Sequence, residues 1–320
     1  MNKILNSQLS GPSVWNANTF ENDDNWIYNF SDEELSEIDT ALKDLRAVNL
    51  AFPNFSKTDF HLPKLETRLN EISNELENGR GFVVLRGLPV HRYNDDEVNT
   101  IYYGLGLNLG QPVSQNFNGD MIGIVMNVGN LEDKNTRVYQ TNLYLPYHTD
   151  PSDVVGLLCV RKAKNGGLSS LVSVPAVYNI LLSEFPEYVG LFYKQWYYAH
   201  LGEDLPSPTS LFAIHDGKLN FRYLRQYIEL GHDLREHPLS PVEIEALDIL
   251  DSIIVRSELR IDMMLQPGDM QFANNHLILH SRTSFEDSPN VDERRKLLRL
   301  WLKMDNARSQ PFEFPGRNGF

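Results

Sequence analysis

A single cysteine, Cys159, stands among 320 residues. An intrachain disulfide framework is therefore excluded, and a reducing compartment, the cytoplasm, is expected. Its setting in "VVGLLCV" reads as a buried strand, not as the accessible, electropositive niche of a nucleophilic thiol. Long apolar runs are missing too: no stretch approaches the roughly 18 residues that a membrane-spanning helix needs. The opening "MNKILNSQLSGPSVW" has no apolar core of the kind a secretory leader carries, so no leader is expected. Positive charge is scarce. Lysine and arginine number 29 against 43 acidic residues, a formal net charge of -14, and no basic run offsets this locally. Such a field repels nucleic acid and anionic membranes, so neither is expected as a partner. A small anion can bind only where a few arginines are focused into a pocket. Internal repeats and low-complexity tracts are also absent.

What is present is ample apolar content, 41% of the chain, enough for one large core. The first third reads as helical. "SDEELSEIDTALKDL" opens with Ser31 and Glu34 spaced as a capping box, and Leu35, Ile38, Leu42 and Leu45 recur at helical intervals. Leu65, Leu69, Ile72 and Leu76 mark a second helix that Gly79 stops. "GFVVLRG" reads as a buried strand, and residues 95 to about 109 as a third helix. From about Met121 the texture changes to short β-type runs, among them "MIGIVMNV", "DVVGLLCV", "LSSLVSV", "DMQFAN" and "KLLRLWLKM". Asp216-Gly217 sits between two such runs as a tight hairpin turn. A helix beginning near Pro175 interrupts them, and so does "SPVEIEALDILDSII", with Ser240, Pro241 and Glu243 as start signals. Many short strands at this spacing predict a sandwich or jelly roll with flanking helices. No linker divides the chain. One domain over 1–320 is expected, with helices from about 31–110 packed on a β core from about 115–305. A split near residue 115 is the lesser alternative.

Within this frame "LPYHTDPSD" places His148 two residues from Asp150, at the head of what reads as a strand. On an extended segment the two side chains project to one side and can share one ion. The plain alternative is a turn capped by Asp150. A third ligand must come from elsewhere, and "GDMQFANNHLILHSRTSFED", a strand-like stretch, offers His276 and His280. Two histidines and a carboxylate on one face leave open positions, the arrangement of non-haem Fe(II) oxygenases. Zinc fits less well, because its tighter His-x-x-x-His spacing is missing. Further on, Arg295 and Arg299 lie in the apolar "ERRKLLRLWL" and share strand parity. A buried arginine needs an anion: a substrate carboxylate, or a structural partner among Glu286, Asp292 and Glu293.

Taken in order, "HTD" (148–150), "NGGLSSLVS" (165–173), "QPGDMQFANNHLILHSRTSFED" (266–287) and "ERRKLLRLWL" (293–302) resemble the taurine dioxygenase (TauD/TfdA)/clavaminate-synthase-like family of Fe(II)/2-oxoglutarate-dependent dioxygenases. "GPSVW" and "GFVVLRGLPV" are similar to family members as well, so the resemblance covers nearly the whole chain. It implies a mainly β fold with flanking helices around a double-stranded β-helix, a cupin-like jelly roll. It implies Fe(II), 2-oxoglutarate and O2, and oxidation of an unactivated C–H bond of a small molecule with release of succinate and CO2; Arg299 hints at an acid as that molecule, and the alternatives are a jelly-roll metalloenzyme that uses no 2-oxoglutarate or an inactive small-molecule-binding relative. The metal ligands it implies are His148, Asp150 and His280, with His276 a structural neighbour. Arg295 is expected to hold the distal carboxylate of 2-oxoglutarate. Ser169 is expected to assist it, although Ser170 is adjacent and the family more often carries threonine there. Arg299 is expected near the co-substrate or an anionic group of the prime substrate. Halogenating relatives lack the carboxylate ligand, so Asp150 points to hydroxylation or another oxidation. Residues 130–146 and 200–210 are candidate lids, and Gln140, Asn142, Tyr144 and Tyr147 candidate pocket liners.

Overall fold

The end signals in the sequence become the ends of the helices. In the computed structural model, which describes residues 4–128, 140–199 and 205–311 together with Phe314 and Gly319, the Ser31 amide donates to Glu34 Oε2 at 2.7 Å and the Glu34 amide to Ser31 Oγ at 3.3 Å. Ser240 and Glu243 repeat the arrangement. Asn94 and Glu97 supply a third box that the sequence reading had not singled out.

Along the chain, β1 (Ile27–Asn29) precedes α1 (Asp32–Ala47) and α2 (Glu66–Asn78), and β2 (Phe82–Arg86) leads into α3 (Asp95–Leu109). Then come β3 (Gln111–Val113), β4 (Gly123–Met126), β5 (Leu145–His148), β6 (Val154–Arg161), β7 (Asn165–Gly166), β8 (Ser169–Ser173) and α4 (Val174–Glu184). β9 (Trp196–Tyr198), β10 (Ser207–Thr209), β11 (Phe212–His215) and β12 (Lys218–Phe221) lead to α5 (Arg225–Leu234) and α6 (Pro241–Ile254). β13 (Arg260–Met263), β14 (Met270–Asn274), β15 (Ile278–Arg282), β16 (Phe285–Glu286) and β17 (Lys296–Lys303) follow.

Two of the sheets face each other. The larger runs β1-β2-β14-β6-β17-β3, with β4 also paired to β17, and the smaller runs β13-β8-β15-β5. Strand alternation sorts the residues. On β17, Leu298, Leu300 and Leu302 pack outward with Ile38, Leu42, Leu69, Ile72 and Ile101 of α1, α2 and α3. The odd positions turn inward, where Trp301 meets Phe82, Ala273, Leu171 and Ile278 between the sheets. The outer face of the smaller sheet, Val172 and Leu279, is covered by Val177 and Leu181 of α4 and by Leu247 and Leu250 of α6. Because the central strands are buried on both faces, they read as nearly continuous apolar runs and not as alternating ones. This is the mainly β, helix-flanked jelly roll that the sequence predicted.

Three local departures have physical causes. The stretch 266–287 is not one strand: the Asn274 side chain accepts the His276 amide at 2.8 Å, and the turn separates β14 from β15. His148 ends β5 and does not begin β6, so Asp150 lies in the turn between the two. α5 went unread because "RQYIELGHDL" is mostly polar and carries Gly231, where a Cβ would strike the Tyr197 carbonyl.

Candidate functional site

The register of the smaller sheet places His148 directly opposite His280. The pairing reaches that point through an irregularity: Leu145 also faces inward, opposite Arg282, although three steps on β5 span only two on β15. The extra residue is a bulge at Pro146-Tyr147, where proline has no amide to give to the ladder. It turns His148 into the space between the sheets and leaves Tyr147 on the outer face, where its hydroxyl meets Ser170 Oγ at 2.5 Å.

The two imidazole rings lie 4.2 Å apart, centroid to centroid. Asp150 joins them from the turn after β5, its Oδ2 3.6 Å from His280 Nε2. One candidate ligand atom from each of His148, Asp150 and His280 falls within 4.8 Å of the others, and all three residues are buried. The supports are specific. Pro146 O lies 2.8 Å from His148 Nδ1, which assigns the proton to that nitrogen and leaves the Nε2 lone pair available to a cation. The Asp150 amide donates to Asn275 Oδ1 at 2.8 Å, and its carbonyl accepts from Arg222 Nη1. Asp150 Oδ2 is buried without a hydrogen bond. An anionic oxygen left so beside two imidazoles is what a cation would satisfy. Burial pushes the His148 imidazole down to about 4, reinforced by the neighbouring His280, so it is a neutral ring with a free lone pair near neutrality. Burial alone raises the Asp150 carboxyl, but the Arg299 guanidinium and the His280 ring outweigh it and hold the group well below its ordinary range. The donor set therefore suits a divalent cation: two imidazoles and one carboxylate.

His276 is not part of this cluster. It sits behind it in the β14–β15 turn, with Nε2 3.2 Å from Gln310 Nε2 and 3.9 Å from Asp153 Oδ1.

Arg295 enters just before β17 and is buried. No ion pair joins it to Glu286, Asp292 or Glu293: Glu286 accepts from Asn165, and Glu293 from Ser288 and Asn290. Its guanidinium lies 5.2 Å from the Phe285 ring centroid, and Nη1 has no hydrogen bond. Gly167, at φ +74°, makes room for it, since a Cβ there would come within 3.2 Å of Arg295 Nε. Ser169 is the inward member of the serine pair. Its hydroxyl donates across the sheets to Gln271 Oε1 at 2.6 Å, leaving Gln271 Nε2 unpartnered. Ser170 faces outward and donates to Asp262. Arg299 stands elsewhere: Nη1 is 3.6 Å from Asp150 Oδ1, and Nε donates to Gln115 Oε1 at 2.9 Å. Gln115 and Arg299 also line a cleft of about 370 Å³ with Asn99, Asn116 and Asp120.

Of the candidate liners, Asn142 is tied to the Phe285 backbone at 3.2 Å, Tyr144 is exposed, and Tyr147 is turned away. The Gln140 carbonyl accepts from the Val128 amide at 3.1 Å. Residues 130–139 and 200–204 of the candidate lids lie outside the described residues. Sequence reasoning missed Gln115, Asn275, Arg222, Gln271 and Arg282. Only Arg282 carried a signal, because it shares strand parity with His280.

Residues 47–301 match the model of the taurine catabolism dioxygenase TauD, TfdA family. The chain belongs to the TauD/TfdA family. It is an Fe(II)- and 2-oxoglutarate-dependent dioxygenase that uses O2 and acts on a small molecule. This TauD/TfdA dioxygenase is 32% identical to FR-33289 synthase of Streptomyces rubellomurinus, over 97% of this chain and 95% of that one. It is 27% identical to the taurine hydroxylase-like protein SAT17 of Stachybotrys chartarum, over 94% and 81%. In fold it is similar to asparagine oxygenase in complex with Fe(II), 2S,3S-3-hydroxyasparagine and succinate, with a TM-score of 0.70 at 17% identity over 87% of this chain and 93% of that one. The non-heme iron oxygenase OrfP with Fe and alpha-ketoglutaric acid gives a TM-score of 0.64 at 15% identity, over 87% and 94%.

Proposed function

We propose that His148, Asp150 and His280 hold the Fe(II), that Arg295 binds the distal carboxylate of 2-oxoglutarate, and that the Ser169–Gln271 pair assists it. The observation that carries this reading is the buried cluster of two imidazoles and a carboxylate with ligand atoms within 4.8 Å of one another. When bound, iron, 2-oxoglutarate and O2 supply an oxidant for an unactivated C–H bond, releasing succinate and CO2. The chain's own contribution is positioning. The Pro146 carbonyl fixes the His148 tautomer. Asn275 and Arg222 hold the Asp150 backbone, and Arg299 keeps its carboxylate ionised. The walls of the jelly roll exclude water from the reacting atoms.

Arg299 is read here as an orienting charge for Asp150 whose other face looks toward the cleft it shares with Gln115. A small molecule bearing an acidic group suits that cleft, and amino acids are the leading class. The 2S,3S-3-hydroxyasparagine in the asparagine oxygenase structure and the (3S)-hydroxy-L-Arg in a further structure of OrfP support this. A cytoplasmic location fits the single, buried cysteine. Among the described residues no helix is long and apolar enough to cross a membrane.

Metal analysis and succinate release test the assignment together. Asp150→Ala and His280→Ala are expected to lose stoichiometric Fe(II) and all substrate-dependent succinate. Full metal content and turnover in Asp150→Ala would defeat it. Arg295→Ala is expected to raise the KM for 2-oxoglutarate by about 30-fold or more, the cost of removing one partner of a buried charge pair.

A further inference from the structure

The inward-facing residue next to the His280 ligand on β15 is Arg282, opposite Ser169 on β8 and Leu145 on β5. It is buried, and its guanidinium carbon lies 4.7 Å from the centroid of the same Phe285 ring that Arg295 approaches at 5.2 Å. One nitrogen, Nη2, donates to the Leu143 carbonyl. The other two, Nε and Nη1, are buried with no hydrogen-bond partner. Arg295 Nη1 and Gln271 Nε2 are in the same condition. Buried N–H groups without acceptors are rare in folded proteins and call for an explanation. Here four such nitrogens belong to three residues around the inner faces near Ser169.

The charges do not close either. Among the described residues the acid acting on both arginines is Asp287, and no ion pair within 4.0 Å joins it to Arg282 or Arg295. Cys159 also faces Arg295, but burial pushes its thiol up to about 12, so it is neutral and is no counter-ion. Two guanidinium charges against one carboxylate leave one positive charge uncompensated among the described residues. A single further carboxylate with several lone pairs satisfies both the donors and the charge.

We propose that Arg282 is a second binding residue for the distal carboxylate of 2-oxoglutarate, so that the far end of the co-substrate lies against two guanidinium groups. This rests on the reading of Arg295 above. Through its bond to the Leu143 carbonyl, Arg282 also links the co-substrate to the segment that leads into β5 and its ligand His148.

The test uses Fe(II)-loaded protein kept anaerobic, with binding followed by the visible charge-transfer band. 2-Oxoglutarate is compared with 2-oxobutyrate, which has the same chelating end and no distal carboxylate. Arg282→Gln retains an N–H for Leu143 and removes the charge. It is expected to weaken 2-oxoglutarate about tenfold or more, the worth of a charge-assisted hydrogen bond, and to leave 2-oxobutyrate within about twofold. Unchanged 2-oxoglutarate binding, or equal loss of both ligands, overturns the proposal. Arg295→Gln is measured in parallel. If it alone loses 2-oxoglutarate, only the role of Arg282 is wrong; if neither variant does, the underlying reading fails. Should Arg282→Gln not fold, metal-free wild-type protein with 15N-labelled arginine is titrated with glutarate. Movement of two buried Nε–H resonances is expected, and movement of only one overturns the assignment.

Discussion

The His276 side chain shows how a single buried titratable group sets a pH limit. It faces Asp153 and Gln310, the Arg222 and Arg308 guanidiniums act on it, and the Phe314 ring packs against it. Burial pushes it from 6.5 down to about 4, the two arginines reinforce this, and Asp153 opposes it. The folded state therefore refuses a proton that the unfolded chain accepts. The neutral ring's contribution to stability is complete above pH 6.5 and is lost as pH falls toward about 4. Thermal melts of the metal-free protein are expected to show the midpoint dropping across that window. In His276→Gln the drop should be shallower, and an unchanged slope would assign the acid sensitivity elsewhere. His148, Asp150 and His280 were legible as candidate ligands because such residue types announce themselves, although the choice of His280 over His276 came from the family resemblance. Their supports were not, because Asn275 and Arg222 act through the Asp150 backbone, and a backbone contact leaves no mark in the sequence.

Among the elements, helices whose ends carry a capping box were readable to within a residue or two, while α5, with Gly231 at its buried face, was not. Strand existence was legible from apolar runs, but strand ends were not, since the same side-chain types continue through the β14–β15 turn. The contact between α3 and the larger sheet depends on Gly156 of β6. A Cβ there would come within 2.5 Å of the Tyr102 hydroxyl and 2.7 Å of the Phe272 ring. Gly156→Ala is expected to cost about 1–3 kcal/mol by forcing those rings apart. Denaturant titration measures the loss, and Fe(II) stoichiometry should stay the same, because the strain falls on the helix side of the sheet. At α1, Ser31→Ala removes an acceptor from the Glu34 amide and is expected to cost about 1 kcal/mol by the same measurement.

For the whole molecule, we propose that residues 1–320 form one domain, because residues of α1, α2 and α3 share a buried cluster with β2, β6, β14 and β17. A single calorimetric transition is the expected result, and two separable transitions would divide the chain. Ligands that bind only the folded state raise its stability by mass action. Fe(II) and 2-oxoglutarate at about 100 times their dissociation constants should each add about 2.7 kcal/mol. Scanning calorimetry of chelator-stripped protein, with and without them, reads this as an upward shift that Asp150→Ala should abolish. At this scale the jelly roll was legible from the count and spacing of strands, and the net acidic charge from composition. The convergence of distant residues on one centre came into view only through resemblance to a known family.

The bulge at Pro146-Tyr147 has a consequence for insertions and deletions. It works as a phase shifter: one surplus residue on β5 puts Leu145 and His148, three apart, on the same side. Shortening residues 145–147 by one would restore ordinary alternation and swing the imidazole out among the α4 side chains. Every atom of the proposed iron-binding ring would still be present in the protein, facing the wrong way.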